Sequence, residues 1–384
     1  NEARTRLILS SKTTMASRVV ILGGVGFIGR HLVTYLAQNK LASKILVADK
    51  ALPEVAGLTP AEMEIFKSEL VIYKQANLAR EATIDKVFEI DGGKWDIVIN
   101  LAAATKYSQA NEVYQEHIID VARVSSAAAK KAGVSRFVQV STGQVYDASK
   151  KPSEEDGKLK PWTALAKASL KAEELVAASG VSYNIVRPAI VYGPGDQSGI
   201  TPRLIMGAVY QKLGETMELL WEKGLRLNTV HVKDVVKALF LIATKAPEKE
   251  VYNLADSSDS DQGSINKFIA TLFGIKTDFM GSMKSTLATS LAMKTVADVA
   301  NDKHLKPWSD LLKEHGIVDS PLTPYLDEEV LYNNSTSLDG QKIVKNLGFV
   351  YDVPQVTVDL LHEVIIDFEA KKFFPKGLLK YTPA

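Results

Sequence analysis

Residues 22–32, LGGVGFIGRHL, decide how this chain is read. The run RVVIL before them is apolar and of strand length, and Ile28, Leu32, Val33 and Leu36 recur after them at helical spacing. A strand, a glycine turn and a helix are therefore expected in succession. Gly24, Gly26 and Gly29 have the dinucleotide spacing, and Gly23, Gly26 and Gly29 a more widely spaced variant of it. Glycine is needed because the backbone must turn tightly and approach a pyrophosphate with no side chain in the way. The helix start at Phe27 and Ile28 then faces the negative charge. Asp49 closes the next apolar run, KILVAD, 20 residues after Gly29. A carboxylate there accepts hydrogen bonds from the adenosine ribose and repels a ribose phosphate, which favours NAD; Lys50 beside it keeps NADP open.

Outward from the turn, short apolar runs alternate with amphipathic stretches. RVVIL, KILVAD, LVIYKQ, WDIVINLAA, RFVQVST, YNIVRP and VYNLA read as strands, with helical patterns between them. This predicts an α/β, Rossmann-like doubly wound parallel sheet. After Gly193 the rhythm breaks into helical pieces and polar clusters without strand alternation, which predicts a smaller, discontinuous C-terminal lobe. The expected division is a tail or extension at 1–15 and a nucleotide-binding domain at 16–200 that also receives 228–256 and part of 333–370. A cap lobe is expected at 201–227 and 257–332.

Composition narrows the function classes. Forty-six basic and 45 acidic side chains in 384 residues nearly cancel, so no global field selects nucleic acid or an anionic surface. The absence of cysteine excludes disulfides, thiolate nucleophiles and cysteine-ligated zinc, and no metal site is expected. No apolar run approaches the roughly 20 residues of a spanning helix; the nearest, 279–299, is interrupted by Lys284 and Lys294. The basic, hydroxyl-rich residues before Met15 leave two expectations for location, cytoplasmic, or mitochondrial if that segment is native.

Five motifs in order, GGVGFIG, NLAA at 100–103, VSTGQVY at 140–146, VRPAIVYGPGD at 186–196 and NTVHVKDVVKA at 228–238, make the chain resemble the extended short-chain dehydrogenase/reductase family over about residues 18–255. The resemblance implies that Asn77 and Leu78 flank the adenine. It implies that Leu101, Ala102 and Ala103 let the cofactor lie against the sheet, that Val140 ends the fifth strand beside it, and that Pro188 and Ala189 cover the nicotinamide carboxamide. It makes Thr142 the catalytic hydroxyl. Members often pair through two long helices, here 111–131 and 162–178, so a homodimer or a place in a larger assembly is open.

One motif departs. In this family a Tyr gives the proton and a Lys four residues later lowers its pKa, a spacing that stacks both on one helix face. In PWTALAKASLKAEELV, residues 161–176, those places fall to Leu165 and Ser169. Tyr146 is the substitute donor expected first, with Tyr107 and Lys106 also at the edge of the pocket. His231 is expected to pair with Asp234 and tie the lobes, and Arg203 to grip an anionic ligand or form an interface salt bridge. Two functions follow. The first is a nucleotide-binding structural or sensor protein without standard hydride transfer. The alternative is an active NAD(P)-dependent oxidoreductase, epimerase or dehydratase on a nucleotide sugar or sterol-like small molecule, using an atypical proton donor.

Overall fold

The computed structural model describes residues 17–89, 93–289 and 292–383; the expected tail at 1–15 lies outside them. The first half of the chain alternates strand and helix. Strands β1 (Ser17–Leu22), β2 (Ala42–Asp49), β3 (Val71–Gln75), β4 (Ile97–Asn100), β5 (Arg136–Val140) and β6 (Tyr183–Pro188) are separated by α1 (Phe27–Gln38), α2 (Pro60–Phe66), α3 (Glu81–Phe88), α4 (Asn111–Tyr114), α5 (Val121–Lys131) and α6 (Ala164–Ala178). Helices α4 and α5 are one helix interrupted by a π-helical stretch, Gln115–Asp120. Then come β7 (Ile190–Tyr192), α7 (Thr201–Leu213), β8 (Met217–Leu219), β9 (Thr229–His231), α8 (Val232–Lys245) and β10 (Val251–Leu254). The chain ends with α9 (Gln262–Phe273), β11 (Thr277–Phe279), α10 (Gly281–Thr289), α11 (Met293–Glu314), α12 (Gln341–Leu347) and α13 (Val358–Ala370).

All seven runs read as strands join one parallel sheet, in the order β10-β6-β5-β4-β1-β2-β3. Each strand is covered on both faces, which explains why the runs are nearly all apolar. Alternate residues still part company. Val19, Ile21, Ile45, Val47, Ile97 and Ile99 pack under α1 and α8, whereas Val20, Leu22, Leu46, Val98 and Phe137 pack under the α3, α5 and α6 side. Fully burying one such side chain contributes about 1.5–3 kcal/mol, so the period of two fixes which face each helix must cover. Chain order reverses between β1 and β4, and a crevice opens there at the carboxyl ends of the strands.

The small lobe has its own core, in which Leu204, Ile269, Trp308, Leu361, Ile365 and Phe368 meet. Two expectations change here. The part of 333–370 assigned to the nucleotide domain divides: Ile343 and Phe349 pack with the sheet, but α13 packs with the small lobe. The region read as strandless contains β8 and β11, paired in parallel. They are three residues each, too short for alternation to register as a pattern.

Candidate functional site: a dinucleotide turn and a hydroxyl corner

The turn after β1 is shaped by what its glycines exclude. Gly23 has φ +78°, and a Cβ there would sit 2.7 Å from the Ala102 backbone nitrogen. A Cβ on Gly29 would lie 2.4 Å from the Gly23 carbonyl oxygen and 2.5 Å from Gly24 Cα. Helix α1 can approach β1 this closely only without those side chains. Gly26 differs, because a Cβ on it would meet only the Gly23 oxygen, at 3.3 Å. It is also the N-cap of α1, which receives no side-chain cap and has no acid in its first turn. The Phe27 and Ile28 end of the helix is therefore left for an external anion.

Asp49 is fixed by accepting from the Val25 amide through Oδ2 at 3.0 Å and the Ala51 amide through Oδ1 at 3.1 Å. Each oxygen keeps a further lone pair for a ribose hydroxyl. Lys50 is exposed and reaches the site only through its carbonyl, which accepts from Gln75. Asn77 turns Oδ1 to the Ala79 amide at 3.0 Å, while Leu78 is buried. Asn100 is buried and holds the floor of the crevice, donating to Gln139 at 2.8 Å and accepting from the Ala102 amide at 3.2 Å. Leu101 and Ala102 are half-buried, Ala103 is exposed, Val140 is half-buried, and Pro188 and Ala189 are buried at the end of β6. The uncapped helix, the glycine contacts and the placed carboxylate fit a dinucleotide.

Beyond β5 the geometry corrects one expectation. Tyr146 does not face the crevice as a free donor. It is buried, donates to Asn253 Oδ1 at 2.8 Å and accepts from Arg187 Nη1 at 2.8 Å. Arg187 in turn grips Glu173 of α6 through two bonds, and Ser141 Oγ donates to the same carboxylate. Burial pushes the Tyr146 phenol up. This residue locks β5, β6, β10 and α6 together.

The reactive helix carries no tyrosine. Leu165 packs against the core on the α3–α5–α6 side of the sheet, Ser169 Oγ donates to the Leu165 carbonyl at 3.0 Å, and Lys167 is exposed. A different set of hydroxyls gathers beside it. Gln144, two residues after Thr142, donates its backbone amide to Thr142 Oγ1 at 3.2 Å and its side-chain Nε2 to Tyr107 Oη at 2.7 Å. Thr163, the N-cap of α6, donates to Gln144 Oε1 at 3.0 Å. Burial pushes the Tyr107 phenol up. Tyr114, just before the π-helical stretch, pins the loop that carries Tyr107 by donating to the Lys106 carbonyl and accepting from the Gln109 amide. A small-lobe segment closes over this corner, with Glu329 accepting from the Ala164 amide at 2.8 Å and the Ser108 amide at 3.3 Å. Sequence reasoning missed Gln144, Thr163 and Glu329. Only the Thr-x-Gln spacing could have flagged Gln144, and Glu329 is brought in from 165 residues away in sequence from Ala164.

His231 and Asp234 each act, but not on each other. His231 Nδ1 accepts from the Lys233 amide at 3.2 Å and caps α8, and burial pulls its pKa down to about 4. Asp234 accepts from the Asp352 and Val353 amides, tying α8 to the C-terminal segment. The Arg203 side chain has no hydrogen-bond or ion-pair partner among the described residues, and its Nη1 is buried without one. Burial alone pulls its guanidinium down to about 10.

Together, fold and turn define a dinucleotide-binding α/β protein. A model of the NAD dependent epimerase/dehydratase family matches residues 19–255, and the chain belongs to that family. It is 28% identical over 258 residues to the dTDP-D-glucose 4,6-dehydratase of Mus musculus, covering 63% of this chain and 68% of that one. The match to the Homo sapiens protein of the same name is 26% over 333 residues, 81% of this chain and 87% of that one. A ceramide reductase of Caulobacter vibrioides is 31% identical over 225 residues, 58% of this chain and 59% of that one. In fold the chain is similar to DesIV, a dTDP-glucose 4,6-dehydratase from Streptomyces venezuelae solved with NAD and TYD bound. The TM-score is 0.67 with 18% identity over 94% of this chain and 99% of that one. Among the described residues no helix is long and apolar enough to cross a membrane.

Proposed function

We propose that the chain is an active NAD-dependent enzyme that oxidises or reduces a carbon–oxygen centre of a nucleotide-linked sugar, in the manner of a dehydratase, epimerase or reductase. The reading as a structural or sensor protein gives way to its alternative, because the similar proteins named above are enzymes and the nucleotide turn keeps its full geometry. The observation that carries the proposal is that turn: Gly23 and Gly29 packed on backbone too closely for a side chain, an uncapped α1 and an Asp49 carboxylate fixed by two amides at the end of β2. When bound, the nicotinamide supplies or accepts hydride. The chain's own residues hold the nucleotide through Phe27, Ile28 and Asp49, and the Thr142 hydroxyl meets the substrate oxygen at the end of β5. Asp49 selects NAD over its 2′-phosphorylated form by charge.

Two measurements test this. Calorimetry with NAD and NADP should give tighter binding of NAD. Incubation with NAD and dTDP-glucose, followed by mass spectrometry, should show loss of water, epimerisation or oxidation of the sugar. Tight NAD binding without turnover of dTDP-, UDP- or GDP-linked sugars returns the protein to the nucleotide-holding role.

A further inference from the structure

The departure at Leu165 leaves the proposed reaction without a proton donor on α6, and the corner beside it offers one. Thr163 is wholly buried, and its Oγ1 accepts from the Ala166 amide and donates to Gln144 Oε1, each at 3.0 Å. That bond sets which end of the Gln144 amide is oxygen and which is nitrogen. Nε2 is then obliged to donate, and it donates to Tyr107 Oη. The backbone amide of the same residue donates to Thr142 Oγ1. Gln144 therefore supplies a hydrogen bond to each of two hydroxyls. Neither hydroxyl proton has an acceptor among the described residues, which leaves each with a hydrogen bond to give. Tyr107 follows β4 and Thr142 follows β5, on the side of the crevice beyond the β1–β4 reversal.

We propose that Tyr107 is the catalytic proton donor of this enzyme, taking the role that the missing tyrosine of α6 would have held, with Gln144 as its positioning residue. This rests on the hydride-transferring function proposed above. In the oxidative direction the Tyr107 oxygen, having given its proton to water in the cleft, takes the substrate hydroxyl proton as hydride leaves the carbon for the oxidised nicotinamide. In the reductive direction hydride from the reduced nicotinamide reaches the carbonyl carbon, and the carbonyl oxygen gains a pair of electrons and takes the Tyr107 Oη proton. The products are an alcohol and a phenolate, and the phenolate accepts the Gln144 Nε2–H bond until water in the cleft reprotonates it. Thr142 Oγ–H points its second hydrogen bond at the same oxygen. Burial pushes the Tyr107 phenol up, with the bond from Gln144 acting the other way. Lys106, next in sequence, is exposed and takes no part.

The test uses the full chain with NAD and dTDP-glucose. Tyr107→Phe should lower kcat on the order of 100-fold or more, the usual scale of a general acid, with KM and NAD affinity within about twofold of the starting protein. Lys167→Ala, on the exposed side of α6, should keep full activity. A second readout needs no turnover. In cofactor-free protein labelled with ¹³Cζ-tyrosine, Tyr107→Phe identifies the Tyr107 resonance, and Gln144→Leu should shift it while leaving the other tyrosines in place. Retained kcat in Tyr107→Phe, or an unmoved resonance in Gln144→Leu, overturns the assignment and leaves the proposed function standing. An unmodified chain that binds NAD yet turns over no nucleotide sugar overturns the proposed function and this assignment with it.

Discussion

The glycine turn and the hydroxyl corner stand at the same edge of the sheet and are built in opposite ways. In the turn, the atoms that matter are backbone amides and carbonyls from one contiguous stretch, residues 22–29, plus a single carboxylate one strand away. In the corner, they are side-chain hydroxyls and an amide drawn from the loop after β4, the loop after β5 and the cap of α6, with Glu329 folded over them. The turn is closely packed because a Cβ on Gly23 or Gly29 would stand within 3 Å of backbone atoms. The corner is exchangeable: a phenol on another loop can reach a substrate as well as one on the helix, provided something aims it.

Four results would break or sharpen that contrast. The largest effect is expected for Gly29→Val. Its Cβ would stand 2.4 and 2.5 Å from backbone atoms that cannot step aside, so the turn opens and calorimetry should detect no NAD binding at millimolar ligand. Measurable binding would mean that the turn has more give than its contacts allow. Next is Glu173→Ala in the support beneath the corner. Glu173 and Arg187 are 7% and 5% exposed and joined at 2.5 Å. Stranding the guanidinium should cost about 3–5 kcal/mol in urea unfolding, and a cost under 1 kcal/mol would place the strength of the corner elsewhere.

The third concerns pH. His231 is buried and its pKa is pulled down to about 4, so between the ordinary 6.5 and 4 the unfolded chain takes up a proton that the folded one refuses. Stability should then fall as pH drops through that window, by about 3 kcal/mol from this residue. His304, pulled down to about 4 by burial too, adds in the same direction. Denaturation midpoints at pH 7, 6, 5 and 4.5 would show it, and His231→Asn should flatten the slope; an equal slope in the variant removes His231 from the account. The smallest effect is expected for Asp49→Asn. The fold should survive and NAD affinity should weaken by roughly tenfold, the scale of one lost charge-assisted hydrogen bond. Preference over NADP should shrink with it, and an unchanged NAD-to-NADP ratio would show that Asp49 does not set the choice.

Much of the nucleotide half was legible in the sequence. Seven apolar runs became seven parallel strands, and Gly23, Gly26, Gly29 and Asp49 fell where their spacing put them, because backbone turns and strand ends are local. Tyr146 could be placed after β5, but the donor role expected of it does not fit its surroundings. Its burial is decided by Asn253 and Arg187, 107 and 41 residues away. The expected pairing of His231 with Asp234 failed for one local and one distant reason: the histidine ring turns to the Lys233 amide as a cap, while the carboxylate is claimed by the Asp352 and Val353 amides.

The sequence by itself determined the sheet, the dinucleotide turn and a helix α6 without tyrosine. Each depends on residues that are neighbours along the chain, where periodicity and spacing act directly. Only the tertiary structure decided that Tyr146 is locked between Asn253 and Arg187, that Gln144 links Tyr107 to Thr163, and that Glu329 holds the Ala164 and Ser108 amides. Those outcomes depend on hydrogen bonds between segments far apart in sequence, and a linear pattern carries no record of which donor meets which acceptor.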